Sequence, residues 1–203
     1  MNYAIFGGSF NPVHNGHIII VHKMLEYLKQ LKKLFIVPAG CSPFKRDMKD
    51  QASFEDRYTW CYQAFSGISR TDILDIERDD GKNSPSFTYE TIEQFYQSFG
   101  EYPTLIIGED ALTTFHKWKQ HEKILERCEI AVFRRRGYSE NHQLNKRFLH
   151  KITVYDSPYI EISSTEIRNR ISHGQSIRGY VPETLEEPII QTYESMRDHY
   201  EQS

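Results

Sequence analysis

No two of the three cysteines, Cys41, Cys61 and Cys128, stand close enough in this sequence to form a zinc knuckle or a redox motif, so they read as buried or incidental thiols. Nor is there an apolar run approaching the roughly 18 to 20 residues that a membrane span needs. At the N-terminus Ile5 and Phe6 run straight into Gly7 and Gly8, which leaves no room for the apolar core of a signal peptide. Charge of one sign is scarce as well. A formal net charge of -3 excludes the strongly basic domain typical of general nucleic-acid binders, and any anionic ligand has to be held by local charge. These absences predict a cytoplasmic protein with no nucleic-acid partner and no membrane partner. Internal repeats, linkers and low-complexity tracts are missing too. What is present, 38% hydrophobic and 26% charged residues in a chain of 203, suits an ordered globular protein and excludes disorder.

Short apolar runs alternate with longer stretches of helical period. Tyr3 to Phe6, Leu34 to Val37, Ile73 to Ile76, Leu105 to Ile107, Ile130 to Phe133 and Ile152 to Tyr155 read as strands. Ile18 to Leu31, Phe54 to Phe65, Tyr89 to Phe99, Ala111 to Glu126 and His142 to His150 read as helices. This order predicts an α/β fold, a Rossmann-like doubly wound parallel sheet with helices on both faces and ligands at the carboxyl ends of the strands. Ser163 to Tyr200 reads as helical only, broken at Gly174 and Pro182. The expected organisation is one domain over 1–203, with an α/β core over 1–160 and a helical C-terminal part over 161–203.

The chemistry starts at "GGSFNPVHNGH". Gly7 and Gly8 remove side chains where the backbone turns out of the first strand, so amide N–H groups can approach a ligand closely, and Ser9 adds a hydroxyl. His14 and His17 then project from the first turn of a helix whose N-terminus is partly positive. That pattern predicts a polyphosphate cradle in which two imidazoles donate to the charge that develops in phosphoryl transfer. A zinc site lacks its third ligand and the HExxH arrangement, and no Lys follows the glycines as a Walker A loop requires. Histidines that merely cap the helix remain an alternative. A second cluster, "ISSTEIR", has in Ser163 and Glu166 a capping box, while Ser164, Thr165 and Arg168 offer hydroxyls, amides and a cation at a second helix N-terminus. Two helix N-termini facing one cleft would bind a triphosphate along its length.

Together "GGSFNPVHNGH" and "ISSTEIR" resemble the signature pair of the HxGH nucleotidyltransferase superfamily. Between and after them, "VPAGCSPFK", "SPSFTYETI", "IIGEDALTTFHKWK", "RRRGY" and "IRGYVPE" are similar in content and order to the bacterial nicotinate mononucleotide adenylyltransferase family. The resemblance implies that the 5′-phosphate of nicotinate mononucleotide attacks the α-phosphorus of ATP, giving deamido-NAD and pyrophosphate, with ATP and nicotinate mononucleotide as partners and Mg²⁺ carried with ATP rather than held by a protein metal site. On this resemblance the catalytic residues are His14, His17, Lys45 and Arg168. ATP binding falls to Gly7, Gly8, Ser9, Phe10, His14 and His17 in the first motif, to backbone near Gly108, and to Ile162, Ser163, Ser164 and Arg168 in the second. The acceptor is met by Lys45, by Thr88 with backbone amides after Trp118 for the carboxylate, by Asp110 for ribose, by the Trp118 ring, and by Arg135, with Arg134 and Arg136 as alternatives.

The sequence departs from the family pattern at three places. Asn11 replaces a common Asp, Phe87 a common Tyr, and Arg136 the usual Pro after the arginine. A sister enzyme that adenylylates phosphopantetheine or transfers CMP would share the phosphate cradle, and a sensor that keeps the fold without turnover is a rival of another class. A homo-oligomer through the C-terminal helix or the edge strand stays open.

Overall fold

The structure is a computed structural model and describes residues 2–40, 51–78, 86–134, 146–158 and 160–201. Its sheet has six strands: β1 (Tyr3–Gly8), β2 (Lys33–Pro38), β3 (Thr71–Ile73), β4 (Thr104–Gly108), β5 (Ile130–Arg134) and β6 (Ile152–Asp156). They lie in the order β3-β2-β1-β4-β5-β6, and every neighbouring pair is parallel. The chain therefore winds outward from β1 to β3, returns to the centre at β4 and winds out the other way. Between β1 and β4 the winding reverses, which is where an open parallel sheet leaves a crevice at its carboxyl edge.

The period of two within each strand explains why both faces are covered. Ala4, Leu34, Ile36, Ile106, Ala131 and Phe133 face one core. Their neighbours in sequence, Ile5, Phe35, Val37, Leu105, Ile107, Ile130 and Val132, face a second core on the other side. On the first face lie α1 (Asn15–Tyr27), α2 (Phe54–Phe65), α6 (Ser164–Ser172) and α7 (Glu183–Glu201). On the second lie α3 (Thr88–Phe99), α4 (Glu109–Thr114) and α5 (His121–Arg127). Ile167, Ile171, Leu185, Ile189 and Tyr193 join the same core as β1, so the helical C-terminal part packs on the sheet. Burying a side chain of this size contributes about 1.5 to 3 kcal/mol.

Local chemistry sets the helix ends that matter for the site. Ser53 caps α2 by accepting from Asp56 N–H at 3.1 Å, with Glu55 and Asp56 in the positive first turn. Gly100, at φ 73°, closes α3 in the left-handed conformation that glycine adopts without strain. At the start of α1, Asn15 N–H donates to Tyr180 O at 2.8 Å and the Asn15 side chain to Gly179 O at 2.9 Å. The turn between α6 and α7 thus holds the first helix where it begins.

Four segments differ from the sequence expectation. The helix expected over Ile18 to Leu31 starts at Asn15 and ends at Tyr27, with Leu28 at its C-cap. Strand β3 ends at Ile73 rather than starting there, because Leu74 to Ile76 leave the sheet after one further backbone bond from Leu74 N–H to Ile36 O. The expected helix over Ala111 to Glu126 is interrupted: a 3-10 turn spans Phe115–Lys117, Trp118 is extended and Gln120 takes φ 54°. Leu112, Phe115, Ile124 and Leu125 all reach the core, so apolar spacing alone carries the helical period across the break. The expected helix over His142 to His150 is a 3-10 turn over Lys146–Lys151 in its described part.

Candidate active site

The carboxyl edge of the sheet opens into two cavities that share one wall. The larger, about 570 Å³, is lined by Gly7, Gly8, Ser9, His14 and His17 from the first motif, by Gly108 and Asp110 after β4, and by Ile162, Ser163, Ser164 and Arg168 from the second motif. The second, about 450 Å³ and mostly apolar, is lined by Thr88, Thr91 and Ile92 of α3, by Lys117, Trp118 and Lys119, and by Ala39 and Glu77. Gly7, Gly8, Ser9 and Ile107 border both. Both volumes suit a nucleotide-sized ligand.

In the larger cleft the two histidines form one unit. Their rings stack at a centroid distance of 3.7 Å, and His17 Nδ1 accepts from the His14 backbone N–H at 3.2 Å. With Nδ1 accepting, a neutral His17 ring carries its proton on Nε2, where it serves as a donor. Capping thus occupies one nitrogen of the ring and leaves the other as a donor. Gly16 is required by this packing, since a Cβ there would stand 2.9 Å from His14 Nδ1 and 3.2 Å from Ile160 Cγ2.

The distal motif closes on the first through backbone carbonyls. Ser164 Oγ donates to Pro12 O at 2.8 Å, and an Arg168 guanidinium N–H donates to Asn11 O at 2.8 Å. Ser163 caps α6 by accepting from Glu166 N–H at 3.1 Å, as the sequence pattern predicts. Asn11 is 3% exposed, and its side-chain oxygen accepts from Ala52 N–H at 2.9 Å and from Tyr193 Oη–H at 2.7 Å. An acceptor with two donors is what this position needs, and the amide oxygen meets that need without the charge of an Asp.

Two expected contacts lie elsewhere. Asp110, expected at the acceptor, follows β4 into the larger cleft with Gly108 and the histidines and does not line the second cavity. Phe10 does not line the cleft: its ring is 1% exposed and packs edge-on to His17 at 4.9 Å and to Phe65 at 6.2 Å, so it supports the histidine from the core. Lys45, Arg135 and Arg136 lie outside the described residues. Arg134 is the last residue of β5, and its carbonyl accepts from Ser157 N–H at 3.1 Å and from Ser157 Oγ at 2.9 Å.

In the second cavity Trp118 is half-buried, its ring tilted against Phe115 at 4.9 Å. The break between α4 and α5 is what turns it out of a helix and toward the cavity. Thr88 opens α3, whose N-cap residue Phe87 supplies no capping side chain. First-turn amides of that helix are therefore left without a side-chain cap.

Two residues that the sequence analysis did not single out organise these walls. Arg57 of α2, 2% exposed, donates to Ala52 O at 3.0 Å, Ser9 O at 2.9 Å and Ala39 O at 2.7 Å, three segments on one guanidinium. Burial pushes its pKa down from the ordinary arginine value, partly offset by the neighbouring Cys61 and Tyr193. Glu77 accepts from three donors at the edge of the second cavity. Neither belongs to a motif with recognisable spacing, and only a buried or bonded position reveals them. Among the described residues no group of three or more His, Cys, Asp or Glu is arranged to hold a metal ion, and no helix is long and apolar enough to cross a membrane.

Comparison with known proteins agrees with this architecture. Residues 5–170 match the cytidylyltransferase-like family model. A relative from Thermotoga sp. (strain RQ2), named as a nicotinate-nucleotide adenylyltransferase, is 37% identical over 189 residues, covering 92% of this chain and 93% of its own. One of the same name from Clostridium acetobutylicum is 38% identical over 189 residues, covering 90% and 92%. Among solved structures, Plasmodium falciparum nicotinic acid mononucleotide adenylyltransferase complexed with NaAD superposes with a TM-score of 0.77 at 19% identity, covering 95% of this chain and 97% of that one. The fold is shared at that distance, and the near relatives cover almost the whole chain, so the protein belongs to the nicotinate-nucleotide adenylyltransferase family of cytidylyltransferase-like enzymes.

Proposed function

We infer that the chain transfers AMP from ATP to nicotinate mononucleotide, giving deamido-NAD and pyrophosphate as a step of NAD biosynthesis. The observation that carries this reading is the pair of cavities sharing the Gly7 to Ser9 wall, with the histidines and Arg168 on one side and Trp118 and Thr88 on the other. ATP, entering with its Mg²⁺, occupies the larger cleft. Backbone near Gly108 and Ile162 meets adenine, Asp110 meets ribose, and Ser164 and Arg168 hold the β- and γ-phosphates at the N-terminus of α6. The acceptor occupies the second cavity. Its pyridine ring stacks on Trp118, and its carboxylate is met by Thr88 and first-turn amides of α3, where the helix dipole favours a negative group. By the family resemblance alone, Lys45 is assigned to the reacting phosphates and Arg135 to the pyridine end of the acceptor, both outside the described residues.

An oxygen of the acceptor 5′-phosphate attacks the α-phosphorus across the shared wall. The bond from that phosphorus to the α,β-bridging oxygen breaks, and pyrophosphate leaves with the electron pair. His17 Nε2–H and His14 donate to phosphate oxygens as charge moves onto them, and no covalent enzyme intermediate forms. Positioning does most of the work, which suits a site made of amides, imidazoles and cations rather than of nucleophiles. The reaction is placed in the cytoplasm.

Initial rates of pyrophosphate release with MgATP test the reading, comparing kcat/KM for nicotinate mononucleotide, nicotinamide mononucleotide and phosphopantetheine. A clear preference for the first is expected. Comparable efficiency with the amide removes the acid selectivity assigned to Thr88 and α3, activity only with phosphopantetheine removes the pyridine site, and no turnover with any acceptor makes the protein a binder.

A further inference from the structure

We propose that Glu77 is a positioning residue for the acceptor nucleotide, its carboxylate locking the first turn of α3 against the end of β2. The inference rests on the acceptor site proposed above. Glu77 Oε1 accepts from Thr91 Oγ1–H at 2.6 Å, and Oε2 accepts from Ser86 Oγ–H at 2.6 Å and from Gly40 N–H at 3.2 Å. Gly40 follows β2, whereas Ser86 and Thr91 bracket the start of α3. Three of the four groups, Glu77, Ser86 and Thr91, line the second cavity, so the clamp is part of its wall.

Two further features indicate that the contact is built rather than incidental. A Cβ on Gly40 would overlap the Glu77 carbonyl oxygen, so the end of β2 approaches this residue as closely as only glycine permits. Helix α3 has no side-chain cap of its own, because Phe87 stands at the N-cap. A carboxylate that binds hydroxyls on either side of the N-cap holds the first turn in place of a cap. Charge-assisted bonds of this kind are shorter and stronger than neutral ones, and two of the three are 2.6 Å. The consequence is functional because Thr88, the residue assigned to the acceptor carboxylate, sits between Ser86 and Thr91. Loosening the clamp moves Thr88 and its amide while leaving the histidine cleft untouched.

Glu77→Gln tests this. The amide keeps one acceptor oxygen for three donors and presents its own N–H groups to the others. KM for nicotinate mononucleotide should rise about tenfold, as expected for a misplaced binding wall, with KM for ATP and kcat within about twofold. Amide hydrogen exchange of the ligand-free protein should quicken at Gly40, Glu90 and Thr91 and not in α1, α6 or α7. Thr91→Val should cost less in the Glu77→Gln background than in the wild type, since both remove the same contact. Glu77→Asp keeps the charge but not the reach, and gives the same split at smaller amplitude if Glu77→Gln does not fold. Equal rises in both KM values with a parallel fall in Tm, or unchanged exchange at α3, overturn the proposal. A wild type that turns over no nicotinate mononucleotide overturns the acceptor reading instead, and the exchange experiment still decides the clamp.

Discussion

The Tyr193 phenol donates a 2.7 Å hydrogen bond to the Asn11 side-chain oxygen, joining two buried residues 182 positions apart. One belongs to the last helix and the other to the loop that carries the histidines. Through this bond the C-terminal helix fixes the loop from which Asn11 O also receives Arg168. Tyr193→Phe removes the hydroxyl and leaves the ring in the core. The lost bond should cost about 1 kcal/mol, a fall in Tm of about 2 to 4 °C for a chain of this size. A several-fold drop in kcat should accompany it. An unchanged Tm and rate in thermal denaturation and turnover assays would show that the Tyr193 hydroxyl does not hold the Asn11 loop.

Replacing His17 with Ala removes the Nε2 donor together with the acceptor for His14 N–H. Loss of a donor that acts mainly on the transition state costs about 100- to 1,000-fold in kcat. ATP affinity, measured by calorimetry, should change by less than about tenfold, because ground-state phosphate keeps Arg168, Ser164 and the loop amides. Equal losses in the two quantities would assign His17 to ground-state binding.

At Gly16 the expected effect on activity is far larger than the effect on stability. Gly16→Ala places a methyl against the His14 ring and Ile160, so turnover should fall at least tenfold as the stacked pair is displaced. Alanine also favours helix by roughly 0.5 to 1 kcal/mol over glycine. That gain offsets the crowding, and Tm should move by only a few degrees. Full activity in Gly16→Ala would mean that the stacked arrangement of His14 and His17 is not the working one.

Trp118 is expected to control acceptor affinity alone. Stacking of a ring on an aromatic side chain is worth about 1 to 3 kcal/mol, so Trp118→Ala should raise KM for nicotinate mononucleotide by roughly 5- to 150-fold with little change for ATP. A rise in KM for ATP of the same size would place the ring in the wrong cavity.

Cys61 and Cys128, both buried, should make stability fall at alkaline pH. Burial pushes the Cys128 thiol up to about 12 and that of Cys61 higher still. An unfolded cysteine ionises near about 8.5. Since the folded chain holds these protons more tightly, their contribution is fully present below that value and is lost as pH rises toward the folded pKa. Each thiol should account for up to about 1.4 kcal/mol per pH unit in that window. Urea unfolding at pH 8, 9 and 10 checks this: Cys128→Ala should decline less steeply than the wild type, and parallel declines would show that the thiol is not kept neutral by the fold.

The sheet was legible because its strands alternate between two cores, and a doubly wound order follows from alternating strands and helices. That the two motifs meet in one cleft was legible because the residues of each are contiguous, in "GGSFNPVHNGH" and "ISSTEIR". Trp118 was placed in a helix because Leu112, Phe115, Ile124 and Leu125 keep the helical period on both sides of the turn that frees it. Phe10 was read as a ligand contact by its place in the motif, whereas its apolar ring is spent on holding His17. Glu77 and Arg57 left no trace, since each stands among other charged residues, in "DIERDD" and "FEDR", and has partners that are mostly distant in sequence and include backbone atoms.

The Arg57 guanidinium sits beneath the site, held by carbonyl oxygens from three segments. Dissolved ions screen a surface lysine within a Debye length of about 8 Å at physiological salt, but they screen a buried cation much less. The field under the Ser9 loop is therefore a permanent property of the fold, one that persists in concentrated salt after the surface charges have fallen silent.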